Sequence, residues 1–367
     1  LAQTAHDTTP AWSWAAPLAA SGLLALKFAH LIPADSAVVL IAAAVLLLAA
    51  VFAAVHHAEV LALRLGEPFG SILLAVAVTV IEVALIVSIL IGGAPGSEAV
   101  ARDTVFAAVL IVLNGVVGLC LVLGAGRHHE QSFQVQGASG MLAVLGTLAT
   151  LALVMPNFTE ATRGPDYAPM QLIVVGAVSL ILYAVFVFVQ TVRHRAYFLD
   201  IEPDEQAPLH PADVPSVRVA GASLVLLIVS LVAVVLLAKV LSAPLDRVVA
   251  AAGLPHALVG VVIAAVVLLP EGMASVKAAL ANRLQSSINL ALGSAVASIG
   301  LTIPTVAVVA IVLDKPLVLG LSSENMVLLV LTLFVGTLTL GTGRTTVLQG
   351  AVHLVLFAVF LLFSVIP

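Results

Sequence analysis

Eleven stretches of this chain stay apolar, or nearly so, for about the thickness of a bilayer, and short polar connectors separate them. They fall at residues 14–32, 36–55, 69–93, 103–125, 137–155, 169–192, 216–241, 256–281, 286–313, 325–340 and 345–366. A helix of about 20 apolar residues spans the hydrocarbon layer and bonds every peptide group within itself. The runs are continuous and do not alternate with period two, which argues against a β-barrel. An all-α polytopic membrane protein of about 11 transmembrane helices is therefore expected. The composition agrees, with 62% hydrophobic and 9% charged residues and a mean hydropathy of +1.23; a soluble fold of this length would lack polar surface. The tenth run is short and crosses only with help from flanking residues or a thinned bilayer.

Little else in the composition points to a function. The single cysteine, Cys120, excludes an intrachain disulfide and a cysteine metal cluster. The net charge of −5 arises from few charges, and with no basic run present nucleic acid is not an expected partner. The first ten residues contain no Lys or Arg, so no cleavable signal peptide is expected there.

The connectors carry the punctuation: Pro33-Ala34-Asp35, Gly92-Gly93-Ala94-Pro95-Gly96, Gly164-Pro165-Asp166, Asp314-Lys315-Pro316 and Gly341-Thr342-Gly343-Arg344. Residues 193–215 stand apart, with Arg193, His194, Arg195, Asp200, Glu202, Asp204, Glu205, Asp213 and four prolines. This is the main aqueous loop and the expected boundary between halves. The acidic stretch 200–213 reads first as a solvated linker, with cation sensing as the alternative. The organisation expected is a tail and first helix over 1–35, a five-helix repeat over 36–192, the linker, and a second five-helix repeat over 216–367. An odd number of helices per repeat turns the second over relative to the first, the inverted plan of many secondary transporters. With the N-terminus cytoplasmic, eight Lys and Arg fall inside and six outside, a slight positive-inside bias.

Two apolar runs carry a carboxylate near their middle. Glu82 lies in Thr79-Val80-Ile81-Glu82-Val83-Ala84, and Glu271 in Leu268-Leu269-Pro270-Glu271-Gly272-Met273. An ionisable residue at that depth costs at least ~2.5–3.5 kcal/mol, so it faces a polar cavity and has a function by default. The bland alternative is a glutamate kept protonated by a neighbouring helix or snorkelling to an interface. Carboxylate oxygens are hard ligands for Ca2+ and, less tightly, for Na+ or K+, and the same oxygens take protons. Two glutamates hold one Ca2+ or two protons without changing the charge of a site. Pro270 removes a backbone N–H and frees a carbonyl one turn back, so a break in that helix is expected.

Supporting oxygens come from Thr79, one turn before Glu82 on the same face, and from Asn114 beside Gly115 in the fourth run. The ninth run offers Asn289, Ser294 and Ser298, although Gly293 and Ala297 also fit plain close packing. For Thr79 the competing reading is a hydroxyl bonded to its own helix. The pairs His56-His57 and His128-His129 are not chelating, because adjacent helical residues point apart, and solvated or headgroup-facing rings are expected. Glu59, Arg64 and Glu67 read as surface ion pairs, or as carboxylates at a cavity mouth. His129-Glu130-Gln131-Ser132-Phe133 is not a zincin motif, and Gly341-Thr342-Gly343-Arg344 is not a phosphate loop.

These residues resemble the Ca2+/cation antiporter superfamily in its cation/proton exchanger branch. Gly66-Glu67-Pro68-Phe69-Gly70 followed by Glu82 is similar to its first signature. That signature ends in Gly-Asn-Ala-Thr-Glu, where this chain has Val78-Thr79-Val80-Ile81-Glu82. The second ends in Gly-Asn-Ala-Ala-Glu-His, where it has Val267-Leu268-Leu269-Pro270-Glu271-Gly272. The glutamates match, while the glycines, the asparagines and the histidine do not. The bacterial ChaA-type pattern fits better, through Ala77-Val78-Thr79-Val80-Ile81-Glu82-Val83, Asn114-Gly115, Pro270-Glu271, Ser287-Ile288-Asn289-Leu290 and Ser298-Ile299-Gly300-Leu301-Thr302-Ile303-Pro304.

The resemblance implies an inner-membrane exchanger, not an enzyme, that exports Ca2+ against inward protons by alternating access and needs no cofactor. The lost signature asparagines leave a Na+ or K+/H+ antiporter as the alternative. A membrane-embedded hydrolase or lipid-phosphate enzyme would need a catalytic dyad or a basic phosphate clamp, and the sequence has neither. Membrane lipid, inorganic cations and protons are the partners expected.

Overall fold

The computed structural model describes residues 10–33, 36–66, 69–93, 96–162, 164–200 and 214–366. Glu67, Arg163 and the acidic linker positions Glu202, Asp204, Glu205 and Asp213 lie outside the described residues. Eleven long helices occur among the described residues, one for each apolar run. They are α1 (Ala11–Phe28), α2 (Ala37–Leu65), α3 (Phe69–Gly92), α4 (Ser97–His128), α5 (Val135–Phe158) and α6 (Pro169–Arg193). The remainder are α7 (Val217–Ala251), α8 (Ala257–Leu280), α9 (Leu284–Val312), α10 (Ser323–Leu340) and α11 (Val347–Val365). Ten are long and apolar enough to cross a membrane; α1, which carries Trp12, Trp14, Pro17 and Lys27, is not among them.

Local sequence sets the helix ends. α2 ends at Gly66, whose φ of +68° is a left-handed conformation that a Cβ would disfavour. Pro169 opens α6, where its missing N–H is no loss. The Ser322 hydroxyl accepts from the Asn325 N–H to start α10, and Gln349 Oε1 accepts from the Thr346 N–H to start α11. The expected break at Pro270 is absent: α8 runs unbroken through it. One missing hydrogen bond is tolerated in a membrane helix when neighbouring groups take up the freed carbonyl. The irregular turns fall elsewhere, as π-turns at Ile111–Val116 in α4, Thr150–Val154 in α5, Val189–Arg193 ending α6 and Ser298–Thr302 in α9.

The chain divides into two compact units, residues 1–94 with 204–248 and residues 95–203 with 249–367. The first contains α1, α2, α3 and nearly all of α7. His57 is fully buried in it, contrary to the solvated ring expected. Its Nε2 lies 3.0 Å from the Ser13 carbonyl of α1 and its Nδ1 3.2 Å from the Ser223 hydroxyl of α7. With Nε2–H donating to the carbonyl, Nδ1 accepts from Ser223, so a neutral imidazole joins three helices without an unmet polar atom.

The second unit holds α4, α5, α6, α8, α9, α10 and α11 around one apolar core that includes Leu110, Leu113, Leu121, Met141, Leu145 and Leu292. α4 and α8 cross at Gly260, where a Cβ would stand 2.7 Å from the Thr104 nitrogen. Backbone contacts sort the connectors of this unit onto two ends. At one end Val318 N–H donates to Glu98 O, Gly320 N–H to Pro165 O and Leu321 N–H to Leu153 O. At the other, Gln131–Ser132 pairs antiparallel with Arg344–Thr345, and His128 Nε2 lies 2.9 Å from the Leu280 carbonyl. Helix counting assigns the connectors to the same two sides. Outward-facing side chains such as Ile173, Ile181 and Phe188 on α6 and Leu348, Val355 and Leu362 on α11 are exposed and apolar, a surface suited to lipid.

Candidate functional site

Glu271 and Glu82 fall in different compact units and are taken in turn. Glu271 is half-buried, one residue after the buried Pro270. Two helices flank it. From α9 the Ser294 hydroxyl donates to Glu271 Oε2. On the next residue, a Cβ at Gly272 would lie 3.2 Å from Val116 Cγ2 of α4, so glycine lets α4 pass close to α8 at this level. Ser298 follows Ser294 by one turn, opens the π-turn of α9 and is 4% exposed. The Ser294 hydroxyl oxygen keeps lone pairs that a cation can share. Glu271, Ser294 and their helices thus bring a carboxyl and a hydroxyl oxygen together within the spanning segments.

Glu82 lies in α3 of the other unit and is 4% exposed, with Thr79 buried one turn earlier. A carboxylate this buried is costly in lipid unless other groups meet it. Among the described residues, no three of His, Cys, Asp and Glu gather into a resident metal site.

The two asparagines expected to support the carboxylates carry hydrogen bonds of their own. Asn114, 0% exposed in the π-turn of α4, donates from Nδ2 to Thr332 Oγ1 at 2.8 Å, and its Oδ1 lies 2.9 Å from His353 Nδ1. His353 Nε2 lies 3.1 Å from Thr339 Oγ1. Asn289 donates from Nδ2 to the Phe198 carbonyl at 2.6 Å and accepts from Gln285 Nε2 at 2.8 Å. It therefore anchors the start of the linker on α9. There, Asp200 accepts from the Ser286 N–H at 3.0 Å and pairs with Arg283 at 3.2 Å. Thr332, Thr339 and His353 were not singled out from the sequence, because single polar residues in apolar runs carry no spacing signal. The π-turns did leave traces, in Asn114-Gly115 and in Gly300 shortly before Pro304.

At the opposite end of this unit, Asp166 is the acid whose protonation the fold perturbs outside the spans. Burial pushes its carboxyl above the usual range, and the charge of Arg102 pulls it partly back. Arg102 is itself paired with Asp103 at 2.7 Å.

Comparison with known proteins gives this geometry a context. The family model described as sodium/calcium exchanger protein matches residues 36–192 and 222–366. A protein of Sinorhizobium fredii named as an ionic transporter is 61% identical over 365 residues, covering 100% of this chain and 98% of that one. The sodium-potassium/proton antiporter ChaA of Escherichia coli is 34% identical over 323 residues, 87% of each chain. The solved structure of native YfkE superposes with a TM-score of 0.74 at 17% identity, over 97% of this chain and 100% of that one, a likeness of fold.

Proposed function

The chain belongs to the sodium/calcium exchanger protein family, and from that premise we propose that it exports Ca2+ against inward protons, the two competing for Glu82 and Glu271. As a member it is a multi-pass antiporter of inorganic cations and not an enzyme. The observation that carries the reading is the hydroxyl of Ser294 donated to Glu271, a prepared carboxylate inside a spanning helix. Protons from outside neutralise the two glutamates and release the cation outward. The proton-loaded carrier turns inward, loses its protons at cytoplasmic pH and reloads. Thr79, Ser294, Ser298 and the second lone pair of the Asn114 carbonyl supply neutral oxygens to the cation. The two halves, 36–192 and 216–367, act as inverted repeats in a cell inner membrane with the N-terminus cytoplasmic.

A second reading, exchange of Na+ or K+ for protons, is favoured by the Escherichia coli relative. It also gains from the amides: both ends of Asn289 and one lone pair of the Asn114 carbonyl are already used, which leaves fewer neutral ligands for a divalent ion. Purified protein in proteoliposomes with a preformed pH gradient separates the two. Collapse by Ca2+ supports the first reading, and collapse by Na+ or K+ alone supports the second. A gradient that survives all three ions refutes both.

A further inference from the structure

The last helix supplies a residue that the two-carboxylate scheme does not use. His353 is 1% exposed in the middle of α11, and both ring nitrogens are engaged, Nδ1 with Asn114 Oδ1 at 2.9 Å and Nε2 with Thr339 Oγ1 at 3.1 Å. An amide oxygen can only accept, so Nδ1 carries the proton, and Nε2 then accepts from the Thr339 hydroxyl. The amide is held from its other end too, by Nδ2 donating to Thr332. The fold makes room for this arrangement. A Cβ at Gly118 would stand 2.9 Å from His353 Cβ, and one at Gly350 would stand 2.7 Å from the Val122 nitrogen. Glycines on both helices let α4 and α11 approach closely enough for the imidazole to reach a π-turn on the facing helix. Buried hydrogen bonds at both ends of the amide fix one geometry, which packing alone does not do for an amide that can rotate.

We propose that His353 is a positioning residue for transport. By donating to Asn114 Oδ1 it fixes the amide plane, and with it the direction of the remaining lone pair of that carbonyl, the one the proposed function assigns to the cation. Through Asn114, the last helix then tunes cation affinity without touching the ion. This rests on the reading that Asn114 supports cation binding.

The two side-chain amides separate the functions of the ring nitrogens. Asparagine at 353 places its N–H where Nδ1 stands, whereas glutamine places its N–H where Nε2 stands and leaves Asn114 without its donor. The test is the KM for Ca2+, Na+ and K+ in proteoliposomes for His353→Asn, His353→Gln, His353→Leu and Asn114→Ala, each checked for folding by size exclusion. Loss of the oriented donor is expected to raise KM for the transported cation about fivefold to tenfold in His353→Gln and His353→Leu, with kcat within about twofold, the effect of one buried hydrogen bond. His353→Asn restores the wild-type KM. If Asn114→Ala raises KM while His353→Gln keeps the wild-type value, the positioning role is overturned. A wild-type KM in Asn114→Ala itself overturns the ligand reading beneath it. Should His353→Leu fail to fold, His353→Gln against His353→Asn decides.

Discussion

Replacing Ser294 with alanine removes a hydrogen bond that α9 donates to Glu271. A hydrogen bond to a charged group is worth about 1.5–3 kcal/mol, and since Glu271 is half-buried, with water able to replace part of the loss, the low end applies. About 1.5 kcal/mol corresponds to a factor of roughly ten in an equilibrium constant. The hydroxyl holds the carboxylate in place and offers its own lone pairs to the cation. Ser294→Ala is therefore expected to raise the cation KM roughly tenfold. Ser294→Thr keeps the donor and should stay near wild type. The assay is cation-driven proton efflux from proteoliposomes, followed with an internal pH dye across a range of external pH. A Ser294→Ala KM equal to wild type at every pH would refute the reasoning.

Two further outcomes follow from the packing. Asn289→Ala unties the Phe198 carbonyl and Gln285, so it should loosen residues 195–200, seen as faster proteolysis near Asp200, while the cation KM stays at the wild-type value. His57→Leu leaves the Ser13 carbonyl and the Ser223 hydroxyl without their imidazole in a buried setting, at a cost of about 1–3 kcal/mol for each unmet group. It should lower the thermal midpoint in detergent by several degrees, with Ser223 recovering part of the loss by bonding to its own helix.

The helices were legible because bilayer thickness imposes a length and hydropathy that sequence states directly, and each of the eleven runs became a helix. Glu82 and Glu271 stand out as candidates for a related reason, since a charge in an apolar run is expensive. The neighbours of the site were not legible. Asn114 reads as a free amide until α10 and α11 bring Thr332 and His353 to it, a contact between residues more than two hundred positions apart with no periodicity to announce it. Pro270 misled in the other direction. Proline predicts a break from the loss of one bond, whereas α8, packed against α4 and α9, stays helical through it. His57 misled by its type, because a histidine near a helix end reads as solvated until Ser13 and Ser223 surround it.

The central claim is that cations and protons compete for two intramembrane carboxylates. Glutamine keeps the shape of glutamate and removes both its charge and its proton. Glu82→Gln and Glu271→Gln, each reconstituted into proteoliposomes loaded with a pH dye and given Ca2+, Na+ or K+ outside, test it directly. Each variant is expected to insert and purify as wild type and to show no cation-dependent proton flux with any of the three ions. Wild-type flux in either variant would contradict the account.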